Sequence, residues 1–316
     1  QFILVLVLVL GCTPATEQPA NPEKTLKGVS LSPKSFSSED FTDFFATAKE
    51  AGSFVTWAGD WSQLDDPSPA PHVVTALAKQ KGLTPIIVIS PFEQSTGEFL
   101  RPLTDDQLIA YASSAADFAK ADQPQFLGIG LEVNLFKLRN EANFARFVKL
   151  YEATYDAVKK VSPETKVFTV FQLEQMYGRN DGLFGGTNRD AQWDVMDWFP
   201  KNDLAVFTTY PGLVFKDPAD IPADYYDEIK EHTSLPIAFV ESGWPSASIT
   251  GWESSEEEQA RFVTTLFKHT KNIKPEFIIW SFLYPVKTFA PFDSMSLFDA
   301  DGTPKQAWAA WKEQKS

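Results

Sequence analysis

Eight short apolar runs, separated by longer amphipathic stretches, constrain this chain more than any other feature. They are Leu26–Ser32, Phe54–Ala58, Pro85–Ser90, Phe126–Leu131, Val167–Gln172, Leu204–Thr209, Ile237–Val240 and Phe277–Phe282. Continuous apolar runs of this length suit strands buried on both faces, the situation of a parallel sheet covered by helices. The intervening stretches carry helix punctuation. Ser37-Ser38-Glu39-Asp40 opens one that closes near Gly52, and Ala70 to Lys81 gives another, closed by Gly82. Thr104-Asp105-Asp106-Gln107 is a capping box for a helix to about Lys120. Glu141 to Val161 has Phe144, Phe147, Val148, Tyr151, Tyr155 and Val158 at helical spacing. Ser254-Ser255-Glu256-Glu257 caps a helix through Phe267, and Lys305 to Glu313 forms the last.

Eight strand–helix units predict an α/β protein with a (β/α)8 barrel, one domain over residues 26–316. The competing architecture is a doubly wound open sheet. No Gly-rich phosphate turn follows any strand, and Gly128 and Gly130 lie inside one without a third glycine, so a dinucleotide site is not indicated. Pro33, Pro91, Pro211, Pro245 and Pro285 each follow a strand closely and break the ladder on one rim, where a barrel keeps its active site.

Residues 1–11 are read apart from the fold. Phe2 to Leu10 is apolar but short for a membrane span, and Val9-Leu10-Gly11-Cys12 resembles a bacterial lipobox. The expectation is a signal peptide entered part-way, lipidation at Cys12, and a tether over residues 12–25 rich in Pro, Ala, Thr and Glu. The protein would then be an extracytoplasmic lipoprotein that meets the membrane only through its anchor, and a monomer. An ordinary cleaved signal with an incidental cysteine is the other reading. The net charge of −14 disfavours nucleic acid and anionic lipid surfaces as partners.

The available chemistry is narrow. The three histidines, His72, His232 and His269, fall in helical segments without metal-ligand spacing, and Cys12 is the only cysteine. A His-based metal site, a Ser-His-Asp triad and a thiol nucleophile are therefore poorly supported, and no metal or cofactor is expected. Carboxylates and aromatics remain at the strand ends. Asp60, Glu93, Glu132, Glu174 and Glu241 follow strands two, three, four, five and seven. Glu132 and Glu241 share one design, an apolar run that delivers a carboxylate to the rim. Trp57, Trp61, Phe92, Phe136, Tyr210, Trp244, Trp280 and Tyr284 lie near the same rim, where flat apolar faces beside carboxylates suit a sugar ring. Two carboxylates on facing strands can cleave a glycosidic bond without a cofactor.

Several segments carry a resemblance. VESGWPS around Glu241 resembles the nucleophile strand of plant and fungal β-1,3-glucanases, and DLAVFTTYP resembles the sixth strand of β-1,4-galactanases. IIWSFLYP resembles the eighth strand of the same barrel enzymes, and SLFDADGTPKQAW their closing segment. From about Leu26 to Trp311 the chain thus resembles clan A glycoside hydrolases. That resemblance implies a retaining β-glycosidase acting on a carbohydrate, with Glu241 as nucleophile and Glu132 as acid/base. It further implies Tyr210 as hydrogen-bond partner of the nucleophile and Trp280 as sugar floor, entered through a cis Trp280–Ser281 peptide. Trp244, Trp57 and Asn134 complete the expected sugar contacts. One departure stands out: Leu131 precedes Glu132 where the clan has an asparagine for the sugar 2-hydroxyl. A carbohydrate-binding protein that kept the barrel and lost turnover is the alternative, and Asp60 or Glu174 would be the chemical group of a different hydrolase.

Overall fold

The computed structural model describes residues 26–66 and 70–314; the proposed signal peptide, Cys12 and the tether lie outside them. Nine parallel strands form one sheet: β1 (Lys27–Ser30), β2 (Phe54–Asp60), β3 (Thr84–Ser90), β4 (Phe126–Ile129), β5 (Lys166–Phe168), β6 (Val170–Gln172), β7 (Ala205–Thr209), β8 (Ile237–Ser242) and β9 (Ile278–Trp280). Their order is β5-β4-β3-β2-β1-β9-β8-β7-β6. β5 and β6 are consecutive pieces of the fifth apolar run, broken at Thr169, whose N–H donates to the Asn202 side chain instead of a neighbouring strand. One piece pairs with β4 and the other with β7, which brings the two ends of the sheet together as a barrel.

The helices are α1 (Ser38–Ala51), α2 (Ala70–Gln80), α3 (Asp105–Asp122), α4 (Val133–Arg139), α5 (Glu141–Val161), α6 (Leu173–Met176), α7 (Ile229–His232), α8 (Glu256–Thr270) and α9 (Gln306–Glu313). Ser37, Thr104 and Ser255 cap α1, α3 and α8 by accepting the backbone N–H three residues on. The crossovers after β6 and β7 carry only short helical turns, so the helical ring is thin there.

Strand alternation divides the core in two. Phe54, Ile86, Val88, Phe126, Phe168, Val170, Val206, Ala238, Val240, Phe277 and Ile279 fill the barrel interior. Their neighbours Val55, Ile87, Leu127, Phe207, Phe239, Ile278 and Trp280 join the larger layer between sheet and helices. At the bottom of the barrel, buried Lys27 on β1 closes the end of α9, its Nζ donating to the carbonyl oxygens of Trp311 at 2.6 Å and Gln314 at 2.7 Å. Lys27→Ala removes both charged hydrogen bonds, leaving the Trp311 carbonyl only the Gln314 N–H at 3.3 Å, and is expected to cost on the order of 2 kcal/mol in denaturant unfolding.

Candidate active site

Both glutamates reach the barrel mouth through a break in strand regularity. In β8 the pairing with β7 runs Phe207–Phe239 and then Thr208–Glu241, so Val240 is an extra, bulged residue. Strict alternation would send Glu241 outward after the inward Val240. The bulge re-aims it to the same side as Thr208. Beyond β4, Gly130 has φ +81, and a Cβ there would lie 2.5 Å from the Phe147 ring, so the backbone needs glycine. Glu132 follows in the left-handed region, φ 56 and ψ 50, at the start of α4. A non-glycine residue held there costs about 1–3 kcal/mol, a strain typical of functional positions. Its side chain makes no capping hydrogen bond, so the carboxylate stays available.

Thr208 relates the two glutamates, bonding one and pairing in the sheet with the other. Its Oγ1 donates to Glu132 Oε1 at 2.7 Å, and its Cα is in register with Glu241. Gln94 Nε2 donates to Glu132 Oε2 at 3.1 Å. Burial, followed by the charge of Glu241, pushes the Glu132 carboxyl up to about 7, against the Thr208 hydrogen bond. Glu241 is also pushed up by burial, opposed by the Tyr210 hydroxyl, which donates to its Oε2 at 2.7 Å. Tyr210 is held in turn: its hydroxyl meets Ser281 Oγ at 2.8 Å, and its backbone N–H donates to Glu174 at 3.0 Å.

The two fallback carboxylates are otherwise engaged. Glu174 accepts from Gln172, Thr209, the Tyr210 N–H and Tyr225, which fills the four acceptor positions of a carboxylate. Asp60 accepts a two-pronged bond from Arg101 at 2.9 and 3.0 Å and another from the Ser62 N–H. Neither is free to attack or protonate a substrate. Glu93 is exposed and bonded to Ser95 and Thr96.

Four of the expected sugar contacts need correction. Trp280 is fully buried among Phe262 and Trp311, and its indole N–H donates to Met295 O at 2.8 Å. It follows inward Ile279 and so faces the helices, and it is Ser281 that turns toward the mouth. The Trp280–Ser281 bond is trans, the one cis bond among the described residues being Ala290–Pro291. Trp244 packs on Phe262 with its N–H on Ser254, and Trp57, between inward Thr56 and Ala58, belongs to the outer layer. Asn134 is buried and spends its side chain on the backbone of Gln172 and on Gln192, tying α4 to β6. Tyr210 alone of that set touches a glutamate of the pair. Thr208, Gln94 and Ser281, absent from the sequence reading, belong to the site. Strand parity could have found Thr208, two residues after inward Val206, whereas nothing local marks Gln94 on its loop.

Searches against protein-family models and curated proteins return no match. Solved structures do match. The GH53 catalytic domain of Ignisphaera aggregans superposes with TM-score 0.66 at 16% identity, over 93% of this chain and 97% of that one. A family 39 glycoside hydrolase from Bacteroides cellulosilyticus WH2 gives 0.65 at 16%, over 92% of this chain and 63% of that one. The exo-β-1,4-mannosidase Op5Man5 from Opitutaceae bacterium strain TAV5 gives 0.65 at 14%, over 92% and 59%. The fold is a (β/α)8 barrel. Its structural neighbours are glycoside hydrolases, and this chain spans less than two thirds of the length of two of these three.

Burial of Glu132 has a cost that pH exposes. Its folded pKa, about 7, lies above the ordinary 4.5, so folding favours the protonated form. The resulting stability is complete below pH 4.5 and is lost as pH rises through about 7, a difference on the order of 2–3 kcal/mol allowing for partial exposure. Glu132→Gln is therefore expected to unfold at a higher temperature than wild type at pH 8 and at nearly the same temperature at pH 4.5, by calorimetry.

Proposed function

We propose that the chain is a retaining β-glycosidase acting on an oligo- or polysaccharide. The observation that carries this reading is a pair of glutamates coupled by charge at the barrel mouth, one carboxyl raised to about 7 and the other bonded by a tyrosine hydroxyl. In the first step the Glu132 proton passes to the glycosidic oxygen while a Glu241 oxygen bonds to the anomeric carbon, and the C–O bond to the leaving group breaks. In the second step Glu132, now a carboxylate, takes a proton from water. The water oxygen bonds to the anomeric carbon and Glu241 departs, so the anomeric configuration is retained. Activity should fall as pH rises through about 7, because Glu132 must start protonated. At low pH it should fall as Glu241 becomes protonated.

The test is reducing-sugar release from a panel of β-glucans, galactans and mannans, with proton NMR of the first product. The β anomer supports the proposal, and the α anomer indicates inversion. Leu131 favours a second reading, a carbohydrate-binding protein without turnover, because its apolar side chain beside Glu132 offers a sugar hydroxyl no bond. Binding without hydrolysis across the panel would select it.

We further propose a lipid anchor at Cys12 in an extracytoplasmic setting. Cys12→Ser should move the protein from the membrane to the soluble fraction of a bacterial host, since the tether then has no acyl chain to insert. Unchanged fractionation would contradict the anchor.

A further inference from the structure

The hydroxyl of Tyr210 touches two groups at once. It donates to Glu241 Oε2 at 2.7 Å and lies 2.8 Å from Ser281 Oγ, a contact in which either oxygen can be the donor. Ser281 Oγ is also 3.0 Å from the carbonyl oxygen of Ser242, the residue after Glu241 on β8. Tyr210 and Ser281 are both buried, so their hydroxyls depend on these partners. We propose that Ser281 is a positioning residue: its hydroxyl lets Tyr210 hold Glu241 while that group is a carboxylate and release it while it is an ester.

Each hydroxyl carries one hydrogen, so two hydrogens serve three contacts. With Glu241 ionised, the Tyr210 hydrogen goes to the carboxylate, the strongest acceptor of the three. Ser281 must then donate to Tyr210, because two oxygens 2.8 Å apart with no hydrogen between them repel. A donor behind the tyrosine polarises its O–H and strengthens the bond to the carboxylate. With Glu241 esterified, its oxygens lose their charge. Both hydroxyls can now turn together, Tyr210 donating to Ser281 and Ser281 to Ser242 O, and neither loses its bond. Ser242 O is satisfied in either state, since it already accepts the Ser281 N–H at 2.9 Å. No proton changes owner; only the direction of two O–H bonds changes.

The sheet fixes the parts of this relay. Ser242 Oγ donates to Ile279 O at 2.8 Å, which ties β8 to β9 beside the two residues involved. The other titratable neighbours are Glu132, whose charge acts on Tyr210, and Glu174, which accepts the Tyr210 N–H at 3.0 Å. Neither bonds Ser281, so substitution there leaves both in place.

The inference rests on the glycosidase reading for the step that it assists. In the second step the bond from the anomeric carbon to Glu241 breaks, and its electron pair returns to the carboxylate as the Tyr210 hydrogen swings back. Loss of the Ser281 hydroxyl should therefore slow this step more than the first, in which Glu241 loses charge. With 2,4-dinitrophenyl β-glycosides, where the second step limits turnover, Ser281→Ala should lower kcat roughly two- to fourfold, a fraction of one charge-assisted bond, and leave kcat/KM unchanged. The Glu241 titration, read by infrared difference against Glu241→Gln, should move to higher pH, and the acidic limb of activity with it. In a Tyr210→Phe background the same substitution should move neither. Ser281→Cys, a weaker donor of similar size, should shift the titration in the same direction by less, and melting temperatures should stay close to wild type. An unmoved titration in Ser281→Ala, an equal shift with and without the tyrosine hydroxyl, or an equal loss in kcat and kcat/KM overturns the proposal. If wild type hydrolyses nothing, the glycosidase reading falls, and the titrations alone uphold or refute the relay.

Discussion

Glu241→Gln should lower turnover by on the order of 10⁴–10⁶-fold, the range that loss of one member of a nucleophilic catalytic unit spans. The amide keeps the shape of the acid and still offers an oxygen to the Tyr210 hydroxyl, which donates to the carboxylate at 2.7 Å in the wild type. Binding of saccharide should therefore change little, and so should folding. The variant also removes the like charge that helps to raise Glu132, so the carboxyl of Glu132 should titrate lower in it. That shift can be read by infrared spectroscopy of the carboxyl stretch even where turnover has vanished. If wild type hydrolyses a saccharide and Glu241→Gln hydrolyses it equally fast, the assignment of Glu241 is wrong.

Glu132→Ala separates the two chemical steps. Loss of the acid should slow cleavage of natural linkages by roughly 10²–10⁴-fold, because their leaving oxygens need a proton. A substrate with an activated leaving group such as 2,4-dinitrophenolate needs none, so the glycosyl–Glu241 ester should still form and accumulate as a burst. Azide should then restore part of the rate and yield the β-glycosyl azide, because a small anion needs no general base. The basic limb near pH 7 should disappear with the side chain, since it belongs to Glu132. Absence of both the burst and the azide product would mean that Glu132 is not the acid/base. Thr208→Val provides a milder companion. It removes the hydrogen bond that opposes the rise of the Glu132 pKa, so the basic limb should move to higher pH.

Much of the fold was legible because a parallel barrel repeats one unit. Each buried strand reads as an apolar run, and α1, α3 and α8 announce their starts with capping residues whose bonds appear in the structure. α4 was not legible, since Val133–Arg139 follows Glu132 without a cap and looks like a continuation of the strand. The site was legible to the extent that strand ends deliver residues to a rim. Which way each side chain turns was not. Trp280 and Trp244 sit at the right chain positions, yet they face the helices because parity places them there. Glu241 escapes the same fate only through the bulge at Val240, and Glu132 only through the left-handed backbone at Gly130 and Glu132. Such irregularities depend on neighbouring strands and leave little trace in a local pattern. Gln94 arrives from a loop and touches Glu132 across 38 residues of chain, a distance no local pattern spans.

The most direct measurement is the mass of the protein after brief reaction with 2,4-dinitrophenyl 2-deoxy-2-fluoro-β-glycosides of the sugar that the panel identifies. The fluorine slows both steps while the leaving group spares the first, so a covalent ester should accumulate. One glycosyl unit should be added per chain, on a proteolytic peptide that contains Glu241, with activity lost in step. An adduct on another carboxylate, or slow hydrolysis with no adduct and an α-configured product, would contradict the account.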